Sequence, residues 1–222
     1  MTIKQYINQC PNHFNGRKGN VPDMIVLHNT GGDKISSAHY WFLDKESETS
    51  AHFLVGLDGE VRQYVNIADG AWCNGTALDR VKPHFYGNAS NGVVKSRSQN
   101  ANLYTVSIEF VGNVGDRLNE TQLETAVELI KYIRSEVEKI YGKQIPLNRL
   151  HIVGHYEIAP LTRGYCGKNI QYSGILEQLT APPVDPYVPK PQTKPEENPK
   201  TSDFVPKKVL PLRKDRMNII KE

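Results

Sequence analysis

The long apolar periodicity within residues 121–142 constrains the fold of this chain more than any other feature of its sequence. Apolar residues recur there at steps of three and four, which places them along one face of an α-helix. They are Leu123, Val127, Ile130, Ile133, Val137 and Ile140. Thr121 and Glu124 have the spacing of a capping box, so we predict a helix that begins at Thr121 and ends near Gly142. A helix with one apolar face needs a second apolar layer to cover it.

Short β-type runs on both sides of this helix predict that second layer. Strands are predicted at 24–28, 51–56, 60–65, 105–111 and 150–154. Leu57-Asp58-Gly59 is a hairpin signal between the second and third of these runs. Two shorter helices are predicted at 36–45 and 172–179, and the Gly- and Asn-rich stretch 70–102 is predicted to be a long surface loop. Strands interleaved with helices predict an α/β domain with a central, mixed β-sheet flanked by helices.

Composition changes abruptly at Pro182. Residues 182–222 hold nine of the 14 prolines, and they hold 9 of the 27 basic and 6 of the 24 acidic residues. A Pro-rich, polar stretch of this kind buries too little apolar surface to fold alone. We therefore predict a folded domain at 1–181, a Pro-rich linker at 182–206 and a short basic segment at 207–222. The predicted domain carries 18 residues of each charge, and this neutrality argues against nucleic-acid binding.

The chain has three cysteines, at Cys10, Cys73 and Cys166, which is a poor set for a disulfide framework. Free thiols fit a reducing cytoplasm or a role as metal ligands. His28 and His155 each end an apolar run, and Cys166 lies in the loop predicted after His155. Zinc binds imidazole nitrogen and thiolate sulfur readily. From spacing alone two interpretations stay open, because a histidine at a strand end is often only a hydrogen-bonded structural residue.

Five short motifs follow one another within roughly residues 20–180. They are Val26-Leu27-His28-Asn29-Thr30, Ser50-Ala51-His52-Phe53-Leu54-Val55-Gly56-Leu57-Asp58-Gly59, Ala71-Trp72-Cys73-Asn74-Gly75, Val106-Ser107-Ile108-Glu109-Phe110 and Ile152-Val153-Gly154-His155-Tyr156-Glu157-Ile158-Ala159. Together they resemble the type-2 N-acetylmuramoyl-L-alanine amidases, a family that includes phage lysins, wall-recycling amidases and peptidoglycan recognition proteins. The start, Asn20-Val21-Pro22-Asp23, looks most like lysins of clostridial phages or prophages.

The resemblance implies a zinc site in a surface groove. It assigns His28 and His155 as the first two ligands and Cys166 as the third, which leaves the fourth position for water. Eleven positions separate His155 from Cys166, which is more than in most members of the family. We expect the additional residues to lie within 160–164.

The resemblance also implies the residues that carry the chemistry. Glu109 matches the catalytic glutamate, which would accept the proton of a zinc-activated water and pass it to the leaving amine. Many relatives have a lysine two positions before the third ligand, and this position is Gly164 here. Arg163 and Lys168 are therefore alternative candidates for contact with the developing oxyanion.

Four further residues are candidates for binding substrate. Trp72 and Asn74 match the sugar–peptide groove of the family, although partial core packing is an alternative for the tryptophan. His52 is expected to contact substrate or orient a ligand, or else to be structural, and Thr30 is a candidate hydrogen-bonding partner near the metal. Cys73 stands where histidine is common in the family.

These features together predict a zinc-dependent amidase that cuts bacterial peptidoglycan between N-acetylmuramic acid and L-alanine, in the manner of a phage or prophage endolysin. A non-catalytic peptidoglycan-binding module of the same fold is the main alternative. A cysteine hydrolase, with Cys166 or Cys73 as nucleophile beside His155 or His52, is another. The sequence has no signal-peptide pattern and no apolar run that approaches the ~20 residues of a membrane span. We therefore expect synthesis in the cytoplasm and release to act on the wall.

Overall fold

A computed structural model of the chain describes residues 1–75, 86–97 and 99–182. Its strands are β1 (Ile3–Gln5), β2 (His13–Phe14), β3 (Met24–Asn29), β4 (Phe53–Val55), β5 (Val61–Gln63), β6 (Gly70–Ala71), β7 (Thr105–Phe110) and β8 (Ile152–Gly154). Its α-helices are α1 (Ile35–Leu43), α2 (Gly92–Ser96), α3 (Glu120–Tyr141), α4 (His155–Ile158), α5 (Pro160–Arg163) and α6 (Tyr172–Thr180). Short 3-10 turns lie at Ile7–Gln9, Lys45–Ser47, Tyr86–Asn88 and Ala101–Leu103.

Six strands form the central sheet, in the order β1-β5-β4-β7-β3-β8. The pair β4–β5 is antiparallel, which confirms the predicted hairpin, and the other four pairs are parallel. Strands β2 and β6 form a separate antiparallel pair. The prediction of a mixed sheet flanked by helices is therefore confirmed.

The long helix α3 and the helix α6 cover one face of the sheet. The alternating residues Val106, Ile108 and Phe110 of β7 join the same buried cluster as Ile130 and Ile133 of α3. Each of these five side chains is buried. Burial of a whole large apolar side chain contributes about 1.5–3 kcal/mol, so this layer accounts for much of the stability of the sheet.

The opposite face of the sheet carries the polar residues of the same strands. Ser107 and Glu109 of β7 point to this face, and β3 places His28 beside them. Two smaller apolar clusters lie on this face, one around Leu54 and Tyr64 and the other around residues of α2. The polar side chains occupy the space between these clusters, where the candidate site is found.

The start of α3 differs from the sequence prediction. Asn119 is the N-cap residue, and its side chain accepts a hydrogen bond from the Gln122 backbone at 2.8 Å. The Gln122 side chain accepts in return from the Asn119 backbone at 3.3 Å, so the capping box is Asn119 and Gln122 rather than Thr121 and Glu124. Both residue pairs have the spacing of a capping box. Only the pair Asn119 and Gln122 also lets the Gln122 side-chain amide donate to the buried carbonyl of Val111.

Two predicted loops contain more structure than expected. The segment between His155 and Cys166 forms the short helices α4 and α5, where a loop had been predicted. The stretch 70–102 contains β6, α2 and two 3-10 turns, while its residues 76–85 and 98 lie outside the described part of the chain. Both errors concern elements of two to five residues, which are too short to show periodicity in the sequence.

Residues Met1–Pro182 form one compact unit. The assignment of a catalytic domain at 1–181, a linker at 182–206 and a basic segment at 207–222 stays a prediction, since residues 183–222 are outside the described residues. Among the residues that the structure does describe, no helix is long and apolar enough to cross a membrane.

Candidate metal and catalytic site

The site begins where two parallel strands of the sheet end side by side. His28 of β3 is paired in register with Glu109 of β7, so both side chains leave the sheet on the same face. The His28 Nδ1 atom lies 3.6 Å from Glu109 Oε1. The strand spacing of about 4.8 Å fixes these two backbones relative to each other, and loops play no part in it.

A third strand and a turn bring the remaining candidate ligands to the same point. His155 directly follows β8 as the first residue of α4, and its ring centre is 4.6 Å from that of His28. Cys166 Sγ lies 3.6 Å from His28 Nδ1. Ligand atoms of the three residues lie within 4.8 Å of one another, and all three residues are buried.

Gly167 holds Cys166 against the end of β3. Its φ of +75° is in the left-handed region, and a Cβ atom at this position would lie 2.4 Å from the Leu27 carbonyl oxygen. The Gly167 backbone N–H donates to Asn29 Oδ1 at 3.1 Å, and the Tyr156 N–H donates to the Cys166 carbonyl at 3.1 Å. Backbone contacts with both β3 and α4 therefore position this cysteine.

The distances within this group fit a tetrahedral zinc ion. With Zn–S near 2.3 Å and Zn–N near 2.0–2.1 Å, tetrahedral angles put the sulfur and nitrogen ligand atoms about 3.6 Å apart. The separation of Cys166 Sγ and His28 Nδ1 has this value. Two imidazoles and one thiol are also a donor set that zinc prefers, with a further position left for water.

Burial keeps both imidazoles in the neutral form that a metal requires. It lowers the pKa of His28 to about 3, with a hydrogen bond to Asn74 opposing the shift and the positive charge of Arg163 adding to it. The pKa of His155 is also held well below its usual value, by burial first and then by His28 and Arg163. Burial raises the pKa of Cys166 to about 12, so its proton would leave only when a cation binds.

Glu109 is a carboxylate in an environment that favours proton exchange near neutral pH. Burial raises its pKa to about 7, against a hydrogen bond from Cys73 that lowers it. Its Oε2 atom is buried and has no hydrogen-bond partner among the described residues. A buried carboxylate oxygen without a donor is unusual in a folded protein and marks a position for a ligand or a bound ion.

These groups lie on a cavity of about 820 Å³. Its lining includes Glu109, His155 and Cys166, together with Thr30, Trp72 and Arg163. Phe14 stands edge-on to Trp72 with 5.7 Å between the ring centres, so one wall of the cavity is aromatic. The volume suits a ligand of several sugar or amino-acid units.

Two of the predicted site residues, Lys168 and Asn74, do not line the cavity. Lys168 is exposed above the Tyr165 ring and is not among the residues that line the cavity, so Arg163 is the better placed of the two basic candidates. Asn74 is buried, and its amide donates to Thr105 Oγ1 at 3.0 Å. It is not among the residues that line the cavity, where the expected contact with substrate would be made.

His52, expected to contact substrate, to orient a ligand or to be structural, is also buried and is not among the residues that line the cavity. Its Nδ1 atom accepts a hydrogen bond from the Ser107 backbone at 3.0 Å, and its Nε2 atom lies 3.1 Å from the Asp69 carbonyl. The Arg17 guanidinium is 2.9 Å from Nε2 and reaches the Thr105 carbonyl at 3.0 Å. His52 therefore supports the polar face of β7 from within the fold, which is the structural alternative for this residue.

Cys73 lies in the site, although the sequence named it only as a possible nucleophile in the cysteine-hydrolase alternative. Its Sγ atom lies 3.5 Å from His28 Nε2 and 3.8 Å from Glu109 Oε1. The residue is half-buried and lines the cavity. The sequence signal that could have identified this residue was its position next to Trp72, where histidine is common in the family.

Comparisons with known proteins identify the family of this chain. Residues 18–169 match the family model described as N-acetylmuramoyl-L-alanine amidase. The chain is 26% identical over 180 residues to the 1,6-anhydro-N-acetylmuramyl-L-alanine amidase AmpD of Haemophilus influenzae, covering 81% of this chain and 82% of that protein. Among solved structures, a selenomethionine derivative of AmpD matches with a TM-score of 0.54 and 19% identity, covering 81% of this chain and 94% of the other. A mutant endolysin from Bacillus subtilis matches with a TM-score of 0.52 and 20% identity, covering 81% of this chain and 99% of the other.

The family model spans more than half of the sequence, and its span includes the strand ends that carry the site. The chain therefore belongs to the N-acetylmuramoyl-L-alanine amidase family.

Proposed function

We propose that this protein is a zinc-dependent hydrolase of the amide bond between N-acetylmuramic acid and L-alanine in bacterial peptidoglycan. The observation that carries the proposal is the group of His28, His155 and Cys166, with Glu109 beside His28, at a cavity that Glu109, His155 and Cys166 line. Zinc supplies Lewis acidity, since it lowers the pKa of a water to about 7 and polarises a carbonyl. The three ligands would hold the ion at the floor of the cavity.

Glu109 acts as the proton carrier in this proposal. It lies 3.6 Å from the nearest ligand nitrogen, and its free Oε2 atom can accept the proton of the attacking water. The same carboxyl then donates that proton to the amine of L-alanine as the C–N bond breaks. A pKa near 7 suits both steps, because the group exchanges protons readily in each direction.

The cavity walls bind and orient the substrate. Arg163 is the candidate partner for the negative charge that develops on the amide oxygen. The aromatic wall of Phe14 and Trp72 offers a surface on which a sugar ring can stack, and Thr30 adds a hydroxyl to the lining. These contacts would hold the scissile bond next to Glu109.

Release of new L-alanine amino termini from purified cell walls tests the proposal directly. We expect release in the presence of zinc, its loss with a strong chelator, and its recovery when zinc is returned. Lack of release by the zinc-loaded protein would favour the alternative of a peptidoglycan-binding module, which binds walls without cutting them.

The thiol-hydrolase alternative predicts activity that survives chelation. A nucleophilic cysteine needs an accessible thiolate of low pKa. Burial instead raises the pKa of Cys166 to about 12 and that of Cys73 well above its usual value. Neither thiol is therefore prepared for attack on an amide.

We further propose that the enzyme acts on the intact wall, as an endolysin does. The similarity in fold to the Bacillus subtilis protein named an endolysin and the lysin-like start at residues 20–23 support this role. Parallel assays on insoluble sacculi and on soluble 1,6-anhydro muropeptides separate it from a recycling role. We expect sacculi to be solubilised, whereas cleavage of the soluble substrate alone would assign the enzyme to recycling.

A further inference from the structure

A second group of candidate metal ligands overlaps the first. Ligand atoms of His28, Cys73 and Glu109 all lie within 4.8 Å of one another. This group contains the carboxylate to which we assign the proton transfer, and it contains a thiol that the proposed reaction does not use. The family resemblance assigns no metal ligand at Cys73.

The geometry of this second group matches metal coordination. The distance from Cys73 Sγ to His28 Nε2 is 3.5 Å, and the distance to Glu109 Oε1 is 3.8 Å. Both are near the roughly 3.6 Å that separates two ligand atoms around a tetrahedral zinc ion. A direct S–H hydrogen bond at these lengths would be weak, so hydrogen bonding alone is a poor explanation for the cluster.

His28 can serve both groups because Cys73 Sγ is closer to its Nε2 atom, at 3.5 Å, than to its Nδ1 atom, at 3.9 Å. Cys166 Sγ lies 3.6 Å from Nδ1. One imidazole can therefore contact one ion through each nitrogen. The half-buried Cys73 lines the open cavity, which gives a second ion a route of entry. Glu109 supplies the oxygen ligand through Oε1.

We propose that Cys73, Glu109 and His28 Nε2 form a second site for a thiophilic divalent cation, such as zinc in excess or cadmium. The ion gains bonds to one sulfur, one carboxylate oxygen and one nitrogen. The Cys73 thiol and the His28 Nε2–H group each release a proton to solvent, and no oxidation or reduction is involved. Solvent fills the remaining position on the cavity side.

Occupation of this site inhibits the reaction, and this part of the inference rests on the proposed function. A carboxylate that is bound to a cation can no longer accept a proton from water. The protein would thus be active with one equivalent of zinc and inhibited by more. Cys73 would set the zinc concentration at which activity falls.

Cadmium binding tests the site without any reference to activity. Equilibrium dialysis of the full chain against Cd²⁺, with ultraviolet absorption of the thiolate–cadmium bond as a second readout, should give two ions per wild-type chain. Cys73→Ser should bind one. Cys10→Ser is the matched control, because Cys10 is a buried thiol outside both groups, and this variant should still bind two. A wild-type stoichiometry of one, or two ions in Cys73→Ser, would overturn the proposal.

The activity arm separates a failure of this inference from a failure of the proposed function. Wall hydrolysis is followed as zinc rises from one equivalent to large excess, and each variant is normalised to its own maximum. We expect inhibition at least tenfold weaker in Cys73→Ser than in wild type. Equal inhibition in both would refute control by Cys73. No hydrolysis at any zinc level would refute the proposed function and leave the cadmium result to decide whether the second site exists.

Discussion

Replacement of Glu109 by glutamine should leave the metal site intact and remove most of the turnover. Glutamine keeps the size and shape of the side chain but cannot accept a proton from water. Loss of a general base lowers rates by roughly 10²–10⁴, which corresponds to about 3–5 kcal/mol of activation free energy. Ligand atoms of His28, His155 and Cys166 are grouped without Glu109, so zinc binding should persist.

Replacement by aspartate provides a second, geometric test at the same position. Removal of one methylene withdraws the carboxylate by about 1.5 Å, and a misplacement of 1 Å can reduce a rate 10²-fold. The backbone cannot move to compensate, because β7 is paired with β3 at His28 and with β4 at Leu54. We therefore expect Glu109→Asp to lose about two orders of magnitude as well.

The assay for both variants is the initial rate of L-alanine amino-terminus release from purified walls, beside zinc content measured on the same preparations. Lys131→Gln serves as a surface control, since Lys131 is exposed on α3, pairs with Glu128 and does not line the cavity. A turnover of Glu109→Gln within tenfold of wild type, at equal zinc content, would refute the role assigned to this carboxylate.

Three further outcomes are expected. Replacing any one of the three candidate zinc ligands, with alanine for either histidine or serine for the cysteine, should abolish zinc binding and hydrolysis together, and an active, zinc-free variant would contradict the assignment. Gly167→Ala should lower the free energy of unfolding by more than about 1 kcal/mol in chemical denaturation, because its φ is positive and its Cβ would strike a carbonyl, whereas Gly174→Ala has open space and should not destabilise. Asn119→Ala should cost about 1 kcal/mol of stability and Thr121→Ala clearly less, and the reverse order would restore the capping box expected from the sequence.

Truncation tests whether the predicted domain is stable on its own. Removal of residues 183–222 should leave a cooperatively unfolding protein, since Met1–Pro182 forms a compact unit with its own core. Thermal unfolding of the truncated chain, with the full chain as control, measures this. Loss of the cooperative transition would place the domain boundary farther along the chain.

The elements that the sequence predicted well are those with a strong local signal. The periodicity of α3 and the alternation along β7 are visible in the sequence because each extends over at least six residues. The order of the strands is a different matter. It depends on pairings between distant segments, such as Ile25 with Ile152, and no local pattern reports these.

The same distinction between local and long-range signals separates the site residues that could be predicted from those that could not. Histidine at the end of a strand is a local feature, so His28 and His155 could be picked out and then strengthened by the family resemblance. The burial of His52 and its bond to Ser107 depend on the neighbouring strand, and the sequence could not separate a structural histidine from one that contacts substrate. The contact of Cys73 with His28 likewise arises only when β3 and the turn after β6 are brought together.

The in-register pairing of His28 with Glu109 has a consequence for how proteins of this design can diverge. His28 and Glu109 belong to the hydrogen-bonded ladder of the sheet, while much of the cavity lining comes from turns and short helices outside it. Exchange of those peripheral segments can therefore alter which ligand fits the cavity without moving His28 and Glu109. A single-residue insertion in one of these strands would instead turn that strand's own side chain, His28 or Glu109, toward the opposite face, into the layer packed under α3.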